Sequence, residues 1–157
     1  MLYSELNCSP AIHQAVERMG FTEMTEVQEK VIPLMMEGHD MIAKAPTGTG
    51  KTCAFGIPVI EHVDAEKKYP QAVILAPTRE LAQQIAGDLT ELAYFLPEVR
   101  VVCVYGGANM EKQAEQLKRG CQVVVATPGR LMDHYKHHSI DLSHVEQIVL
   151  DEADEML

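Results

Sequence analysis

Short apolar runs alternate with stretches of helical periodicity through most of this chain. The apolar runs cover residues 41–45, 72–76, 101–105, 123–126 and 147–151, and the helical stretches lie near 51–64, 79–95, 108–119 and 129–137. Continuous apolar strands separated by helices are typical of a parallel sheet covered by helices on both faces. The pattern therefore predicts an α/β fold with a mainly parallel sheet, in which ligands bind beyond the carboxyl ends of the strands.

Two helices are predicted ahead of this alternating region. Ser9 precedes a proline, which is the order of a capping hydroxyl and a first helical residue. Thr25 and Gln28 have the spacing of a capping box, so a second helix is predicted to begin there. Its apolar periodicity places Val31 and Leu34 on the inward face.

The strongest local signal is a glycine-rich segment between a predicted strand and a predicted helix, Ala45-Pro46-Thr47-Gly48-Thr49-Gly50-Lys51-Thr52. Glycines let backbone N–H groups turn toward phosphate oxygens, and the following helix adds its positive dipole end. Lys51 can reach the β- and γ-phosphates of ATP, and the Thr52 hydroxyl can bind Mg²⁺. The segment departs from the strict motif in having Ala45 where that motif has its first glycine. The alternative is a glycine-rich strand-to-helix turn that binds nothing.

An acidic pair follows the last apolar run. Asp151 and Glu152 stand directly after Ile148-Val149-Leu150. A carboxylate at this point can hold Mg²⁺ through a water molecule, which we expect of Asp151. Glu152 can orient or deprotonate the water that attacks the γ-phosphate. The alternative is a solvated acidic turn.

The charge of the chain limits how it can bind nucleic acid. Its 157 residues hold 13 Lys and Arg against 23 Asp and Glu, which gives a net charge of -10. This balance argues against a broad basic patch, so any nucleic-acid contact must come from a few placed donors. No apolar run approaches the ~18–20 residues that cross a bilayer, and the first ten residues lack the pattern of a secretory signal. We expect a cytoplasmic protein without a membrane partner.

Five segments of this chain resemble the motifs of the DEAD-box family of superfamily 2 RNA helicases, in that family's order. They are the phosphate loop, with Pro46 where glutamine is more usual, then Pro77-Thr78-Arg79-Glu80-Leu81, Gly106-Gly107, Thr127-Pro128-Gly129-Arg130 and Asp151-Glu152-Ala153-Asp154. The last segment is the motif that gives the family its name. The resemblance spans nearly the whole chain and implies a RecA-like P-loop domain that binds ATP and Mg²⁺. It implies catalytic roles for Lys51, Asp151 and Glu152, and coupling between motifs or domains for Asp154.

The resemblance also implies the residues that hold the nucleotide. The phosphates would lie against Thr47, Gly48, Thr49, Gly50, Lys51 and Thr52, with Thr52 and Asp151 on the metal. Residues 20–28 resemble the family's adenine-reading Q motif but lack its two prolines and its isoleucine. Gln28 would bond the adenine edge, and Tyr3 would stack on the ring. The alternative is that Gln28 only completes the capping box and Tyr3 is ordinary packing.

By the same resemblance, a group of residues faces the RNA sugar-phosphate backbone: Thr78, Arg79, Gly107, Thr127 and Arg130. Hydroxyls, backbone N–H groups and arginine bind phosphate without reading bases, so binding would be independent of sequence. The alternative for each arginine is a structural ion pair. A weak site with few contacts agrees with the net charge.

Histidines and cysteines give weaker signals. His134, His137 and His138 have helical ligand spacing with His144 nearby, but zinc needs a complete and oriented ligand set. We therefore expect a solvated helix face. The four cysteines lie far apart without a C-x-x-C pair and are predicted to be reduced thiols, buried or half-buried.

The resemblance implies how the chain is divided and what lies beyond it. Residues 1–38 would form an N-terminal helical segment with the Q motif, and residues 39–157 the ATP-binding core, as one domain overall. The family continues with a strand carrying Ser-Ala-Thr and with a second RecA-like domain, whose arginines assist phosphoryl transfer. We therefore expect a sheet that is incomplete at the C-terminus, with a gap between the strands leading into Lys51 and Asp151. Such a fragment would be marginally stable or self-associating, with negligible turnover alone.

Three interpretations of function remain open. The first is an enzyme that couples ATP hydrolysis to local RNA unwinding in its full-length form. The second is a nucleotide-binding module without catalysis, which substitution of Glu152 would distinguish from the first. The third is a DNA translocase of the same superfamily, which stimulation of ATP turnover by DNA as strong as by RNA would reveal.

Overall fold

The computed structural model describes residues 2–37 and 49–156, so the predicted strand at 41–45 lies outside the described residues. Its contacts divide the chain into two compact units. The helical unit comprises Met1–His62 and Asp88–Pro97, and the sheet unit comprises Val63–Gly87 and Glu98–Leu157. The elements in chain order are α1 (Pro10–Arg18), α2 (Glu26–Met36), α3 (Thr49–His62), β1 (Ala72–Leu75), α4 (Arg79–Leu92), β2 (Val101–Val104), α5 (Met110–Lys118), β3 (Val123–Ala126), α6 (Pro128–Lys136) and β4 (Gln147–Leu150), with short 3₁₀ helices at Tyr3–Glu5 and Ala153–Met156.

The first two helices begin at the residues that the sequence predicts. The Ser9 hydroxyl caps α1 by accepting from the Ile12 N–H. Thr25 caps α2, and Gln28 returns a side-chain bond to the Thr25 N–H at 2.8 Å, which completes the capping box. These contacts satisfy N–H groups that have no partner inside a helix. The prediction for Leu34 was wrong, because 40% of this residue is exposed while Ile32, two residues earlier, is fully buried.

Helices α3 and α4 meet closely within the helical unit. Gly56 of α3 lies against Leu89 and Leu92 of α4, and a Cβ on this glycine would stand 2.8 Å from Leu92 Cδ1. Both leucines are fully buried. A glycine at this point therefore allows a separation that a larger residue would obstruct.

All strand pairs in the sheet unit are parallel, in the order β2-β3-β1-β4. Ala72 of β1 aligns with Val123 of β3 on one side and with Gln147 of β4 on the other. Strand β3 is buried throughout, as its unbroken Val-Val-Val-Ala sequence predicts for an inner strand. The predicted α/β fold with a mainly parallel sheet is confirmed.

One face of the sheet carries a continuous apolar core. Its buried members come from β1, β2, β3, the helices α5 and α6 and the segments that follow these helices: Val73, Val102, Val104, Leu117, Cys121, Val124, Ala126, Leu131 and Ile140. Alternate residues of each strand point to this face, because side chains alternate along a strand. The core fixes the carboxyl ends of the strands, where the predicted site residues begin.

Strand β4 forms one edge of the sheet that the structure describes. Ile148 and Leu150 on this strand are 68% and 54% exposed. The four cysteines are free thiols, as predicted, with Cys53 and Cys121 buried and Cys8 and Cys103 half-buried. Among the described helices, none has the length and apolar character required to cross a membrane.

Candidate functional site

The phosphate-loop segment leads into helix α3. Thr47 and Gly48 lie outside the described residues, while Thr49, Gly50 and Lys51 are in the first turn of α3. The N-terminus of a helix presents unpaired N–H groups and a positive dipole end, which suit an anion. The start of α3 is therefore chemically suited to bind an anion such as phosphate.

Thr52, the predicted metal ligand, is buried beside a carboxylate that the sequence did not indicate. It is 6% exposed, and its hydroxyl is close enough to the Asp88 side chain to influence the pKa of that carboxyl. Burial raises the pKa of Asp88, and the Thr52 hydroxyl opposes this rise. Asp88 Oδ2 is buried without a hydrogen-bond partner among the described residues. An oxygen of this kind is an unused acceptor near the predicted metal ligand.

Tyr3 and Gln28, the predicted adenine contacts, are bonded to each other. The Tyr3 hydroxyl donates to Gln28 Oε1 at 2.5 Å, and the Thr25 N–H donates to the same oxygen at 2.8 Å. Tyr3 and Gln28 are 4% and 2% exposed, and burial raises the pKa of Tyr3. The capping-box role of Gln28 is thus present, and because its oxygen faces Thr25 and Tyr3 its amide orientation is fixed. Contact with adenine stays a prediction.

The acidic motif begins at the carboxyl end of β4. Asp151 is 5% exposed, and its N–H donates to the Leu75 carbonyl at 2.9 Å, which continues the pairing of β4 with β1. Glu152 follows with φ 51, a left-handed conformation that costs a non-glycine residue on the order of 1–3 kcal/mol. Asp154 lies in the 3₁₀ helix Ala153–Met156. The backbone therefore turns sharply between the two predicted catalytic carboxylates.

Two of the predicted RNA-facing loops adjoin each other. Thr78 Oγ1 accepts from the Leu81 N–H at 3.2 Å and so caps α4, of which Arg79 is the first residue. The Arg79 guanidinium lies 5.8 Å from the Tyr105 ring centroid. Gly107 has φ +88, and a Cβ placed there would stand 3.6 Å from Arg79 Nη1. The loops after β1 and β2 thus bring Arg79 and Gly107 together.

The loop after β3 joins this group through Arg130. The Thr127 N–H donates to the Val104 carbonyl at 3.1 Å, and the Thr127 hydroxyl makes no capping bond in the structure as described. Arg130 Nη1 donates to the Ala108 carbonyl, beside the paired glycines, at 3.0 Å. Arg130 Nε lies 3.6 Å from Asp133, and the Arg130 side chain is only 13% exposed. The structural ion pair, which was the alternative role for Arg130, is present with Asp133. Contact of Arg130 with RNA stays a prediction.

A family model described as DEAD/DEAH box helicase matches residues 25–157. This chain belongs to the DEAD/DEAH box helicase family. The family implies the use of ATP.

Curated relatives of this DEAD/DEAH box helicase chain carry consistent names. It is 51% identical to the ATP-dependent RNA helicase CshA of Listeria monocytogenes over 99% of this chain and 30% of the relative. It is 47% identical to the DEAD-box ATP-dependent RNA helicase CshA of Geobacillus kaustophilus, over 99% of this chain and 33% of the relative. The chain therefore spans about a third of the length of these relatives.

Solved structures agree with the family. A DEAD box protein from Methanococcus jannaschii is 40% identical with a TM-score of 0.90, over 99% of this chain and 42% of that one. An ATP-dependent RNA helicase, described as hypothetical, from Sulfolobus tokodaii is 40% identical with a TM-score of 0.84, over 96% and 43%. The RecA-like α/β fold expected of this DEAD/DEAH box helicase chain is confirmed.

One prediction about helix α6 of this DEAD/DEAH box helicase chain was wrong. His134 does not belong to a solvated face, since it is fully buried and bonds Gln113 and Ser139. His137 and His138 are exposed, as predicted. Within the described ranges, no group of three or more His, Cys, Asp or Glu side chains is placed to hold a metal. His134 is buried because helix α5 covers it. The spacing of the histidines along the chain cannot show that another helix packs over this position.

Proposed function

We propose that this chain is the ATP-binding part of a helicase that couples ATP hydrolysis to local unwinding of RNA. The observation that carries this proposal is the Asp-Glu-Ala-Asp segment at the end of a sheet strand, in a chain whose residues 25–157 match the family model. The names of the relatives, all ATP-dependent RNA helicases, support it. In the whole protein a second RecA-like domain would complete the machinery.

We propose that the nucleotide is held by both ends. The loop of Thr47, Gly48, Thr49, Gly50, Lys51 and Thr52 takes the phosphates, with the Lys51 ammonium at the β- and γ-phosphates. Gln28 and Tyr3 take the adenine. Because Gln28 Oε1 already accepts from Tyr3 and Thr25, we expect its NH₂ group to face the base.

The side chains of Thr52 and Asp151 fit a magnesium ion in their chemistry. Mg²⁺ prefers hydroxyl and carboxylate oxygens, which Thr52 and Asp151 provide. The buried Asp88 oxygen without a hydrogen-bond partner in the described part of the chain adds negative potential beside Thr52. We propose that Thr52 and Asp151 hold the ion, Asp151 through water. The ion would neutralise charge on the β- and γ-phosphates.

We propose that Glu152 is the catalytic base. Its carboxylate would orient the attacking water and accept its proton, and the left-handed backbone at this residue turns it away from the line of β4. Asp154 would couple this motif to its neighbours. A positioned base contributes ~10²–10⁴-fold in rate.

We propose that Thr78, Arg79, Gly107, Thr127 and Arg130 bind the RNA backbone. The closeness of Arg79 to Gly107 and of Arg130 to Ala108 supports a common surface, since these residues come from three adjacent strand ends. Contacts of this kind are independent of sequence, and a bond to the 2′-OH would favour RNA over DNA.

Substitution of Glu152 tests the enzymatic role. In the full-length protein, Glu152→Gln keeps the shape of the side chain but removes the base, so we expect RNA-stimulated ATP turnover to fall by at least about 100-fold. Binding of a fluorescent ATP analogue should change by less than about twofold, since the base acts only in the chemical step. Glu155→Gln, exposed and in the 3₁₀ helix that follows Glu152, is the matched control.

Two results would contradict the proposal. Equal turnover by Glu152→Gln and the unmodified protein would exclude this residue as the base. Stimulation by single-stranded DNA as strong as by RNA of the same sequence would favour a DNA translocase.

A further inference from the structure

Gln113 is a buried amide at the meeting point of three elements of the sheet unit. It lies on helix α5, is 5% exposed and was not singled out by the sequence. Its Nε2 donates to the Tyr105 carbonyl, just after β2, at 3.1 Å. Its Oε1 accepts from Arg130 Nη1 at 3.0 Å and from His134 Nε2 at 3.1 Å, both on α6. We call these four residues the Gln113 network.

The partners fix the orientation of the Gln113 amide. A backbone carbonyl can only accept and a guanidinium can only donate, so the amide of Gln113 can take one orientation only. Its oxygen therefore faces His134, whose Nε2 must carry a proton. The Nδ1 of a neutral imidazole then accepts from the Ser139 hydroxyl at 3.0 Å, a shorter contact than the 3.3 Å between this hydroxyl and the His134 carbonyl. Burial, and next the charge of Arg130, lower the pKa of His134 and favour this neutral form.

The network joins two loops through one guanidinium nitrogen. Arg130 Nη1 donates both to Gln113 and to the Ala108 carbonyl, which follows the paired glycines. Gln113 itself holds the Tyr105 carbonyl, which precedes them. Gln113 therefore holds the side of the loop before Gly106 directly. Arg130, which Gln113 also contacts, holds the side after Gly107.

We propose that Gln113 is a positioning residue for RNA: it holds the paired-glycine loop in register with the Thr127–Arg130 loop. The inference rests on the proposed function, because both loops would contact the RNA backbone. Two loops fixed before binding lose less conformational freedom when RNA binds. Without the Gln113 amide, the Arg130 guanidinium keeps its bond to the Ala108 carbonyl but loses its partner on α5.

Gln113→Met tests this proposal in the full-length protein, since methionine keeps the size of the side chain and removes its polar atoms. We expect the RNA concentration that half-saturates ATPase stimulation to rise about tenfold, an effect of about 1.4 kcal/mol. The kcat at saturating RNA and the KM for ATP should stay within about twofold, because Gln113 touches no residue proposed to hold ATP. Gln116→Met, an exposed glutamine on the same helix, is the matched control and should behave as the unmodified protein.

A double substitution distinguishes action through Arg130 from general loosening. If Gln113 acts mainly through Arg130, Gln113→Met should weaken RNA binding by only about threefold in an Arg130→Met background, the share of its bond to Tyr105, rather than by the about tenfold it costs alone. If Gln113→Met fails to fold, as judged by thermal melting, Gln113→Glu replaces it and Gln116→Glu controls for the added charge. Glutamate keeps the acceptor for Arg130 but loses the donor to Tyr105, so half-saturation should rise about threefold relative to Gln116→Glu, about 0.7 kcal/mol.

The outcomes separate the two proposals. Unchanged half-saturation in folded Gln113→Met, or in Gln113→Glu relative to its control, overturns the positioning role and leaves the helicase proposal intact. Fully additive effects in the double variant, or an equal loss in kcat, also overturn it. An unmodified protein whose ATPase does not respond to RNA overturns the helicase proposal and this inference together.

Discussion

At the scale of single residues, His134 shows how a buried base becomes sensitive to pH. Burial is the main cause that lowers its pKa, the charge of Arg130 lowers it further, and Asp133 acts in the opposite direction. In the unfolded chain the pKa of His134 has the ordinary histidine value of about 6.5. The unfolded chain therefore binds a proton at this residue at a higher pH than the folded chain does. Protonation consequently favours the unfolded state as the pH falls through this range.

We expect the free energy of unfolding to fall as the pH is lowered from about 7.5 to about 5.5, with part of the fall due to His134. His134→Asn should be less stable overall but should show a shallower dependence on pH, because it removes this titration. His138→Asn, exposed two residues beyond the end of α6, should keep the slope of the unmodified protein. Urea unfolding at a series of pH values measures all three, and an unchanged slope for His134→Asn would contradict the prediction.

The roles of Gln113 and Asp88 could not be predicted from the sequence for the same reason that His134 was misread. Local spacing shows which residues share a helix face, but it does not show which element covers that face. His134 is buried by contact with Gln113, which stands 21 positions away in the chain. Thr52 and Asp88 likewise come from different helices. By contrast, Arg79 and Gly107 were expected together, because parallel strands place their carboxyl ends at one edge.

At the scale of secondary-structure elements, local signals predicted most of what the structure shows. The hydroxyl of Ser9 and the box of Thr25 and Gln28 fix two helix starts, because each satisfies N–H groups at the position where it stands. Four predicted strands appear, with ends that differ by at most one residue. Leu34 was misplaced because burial of α2 depends on its contact with other helices, and the periodicity of a short helix interrupted by Pro33 locates that face only coarsely.

The approach of α3 to α4 gives a prediction about two glycines. Gly56→Ala gains about 0.5–1 kcal/mol of helix propensity, but its methyl group would overlap Leu89 and Leu92, and overpacking a buried contact costs about 1–3 kcal/mol. We therefore expect a net loss of about 1 kcal/mol in the free energy of unfolding. Gly87 of α4 has nothing within 4 Å of an added Cβ, so Gly87→Ala should instead stabilise the protein by about 0.5–1 kcal/mol.

Chemical denaturation of the two alanine variants provides the comparison. The substitution is the same in both, and both sites lie inside helices, so each variant serves as the control for the other. A stabilised Gly56→Ala would mean that the two leucines move aside at little cost and that the close contact does not need a glycine.

At the scale of the whole molecule, the net charge of -10 limits RNA binding to a few placed cations. Among the proposed RNA residues only Arg79 and Arg130 are charged, and Arg130 is largely enclosed by its own contacts. Neutral donors such as Thr78 and the N–H of Gly107 release no counterions when they bind phosphate. The salt dependence of binding should therefore be shallow and should depend strongly on Arg79.

We expect Arg79→Gln to reduce the slope of log K against log salt for single-stranded RNA by about 0.7, the value of one phosphate contact. The change is a difference, so contributions from other parts of the full-length protein cancel. Arg119→Gln is the control, because this exposed arginine pairs with Glu115 and is not a proposed RNA contact. Fluorescence anisotropy across a salt series measures each slope. Equal reductions for both arginines would mean that RNA senses the overall charge of the protein rather than a guanidinium placed at the end of β1.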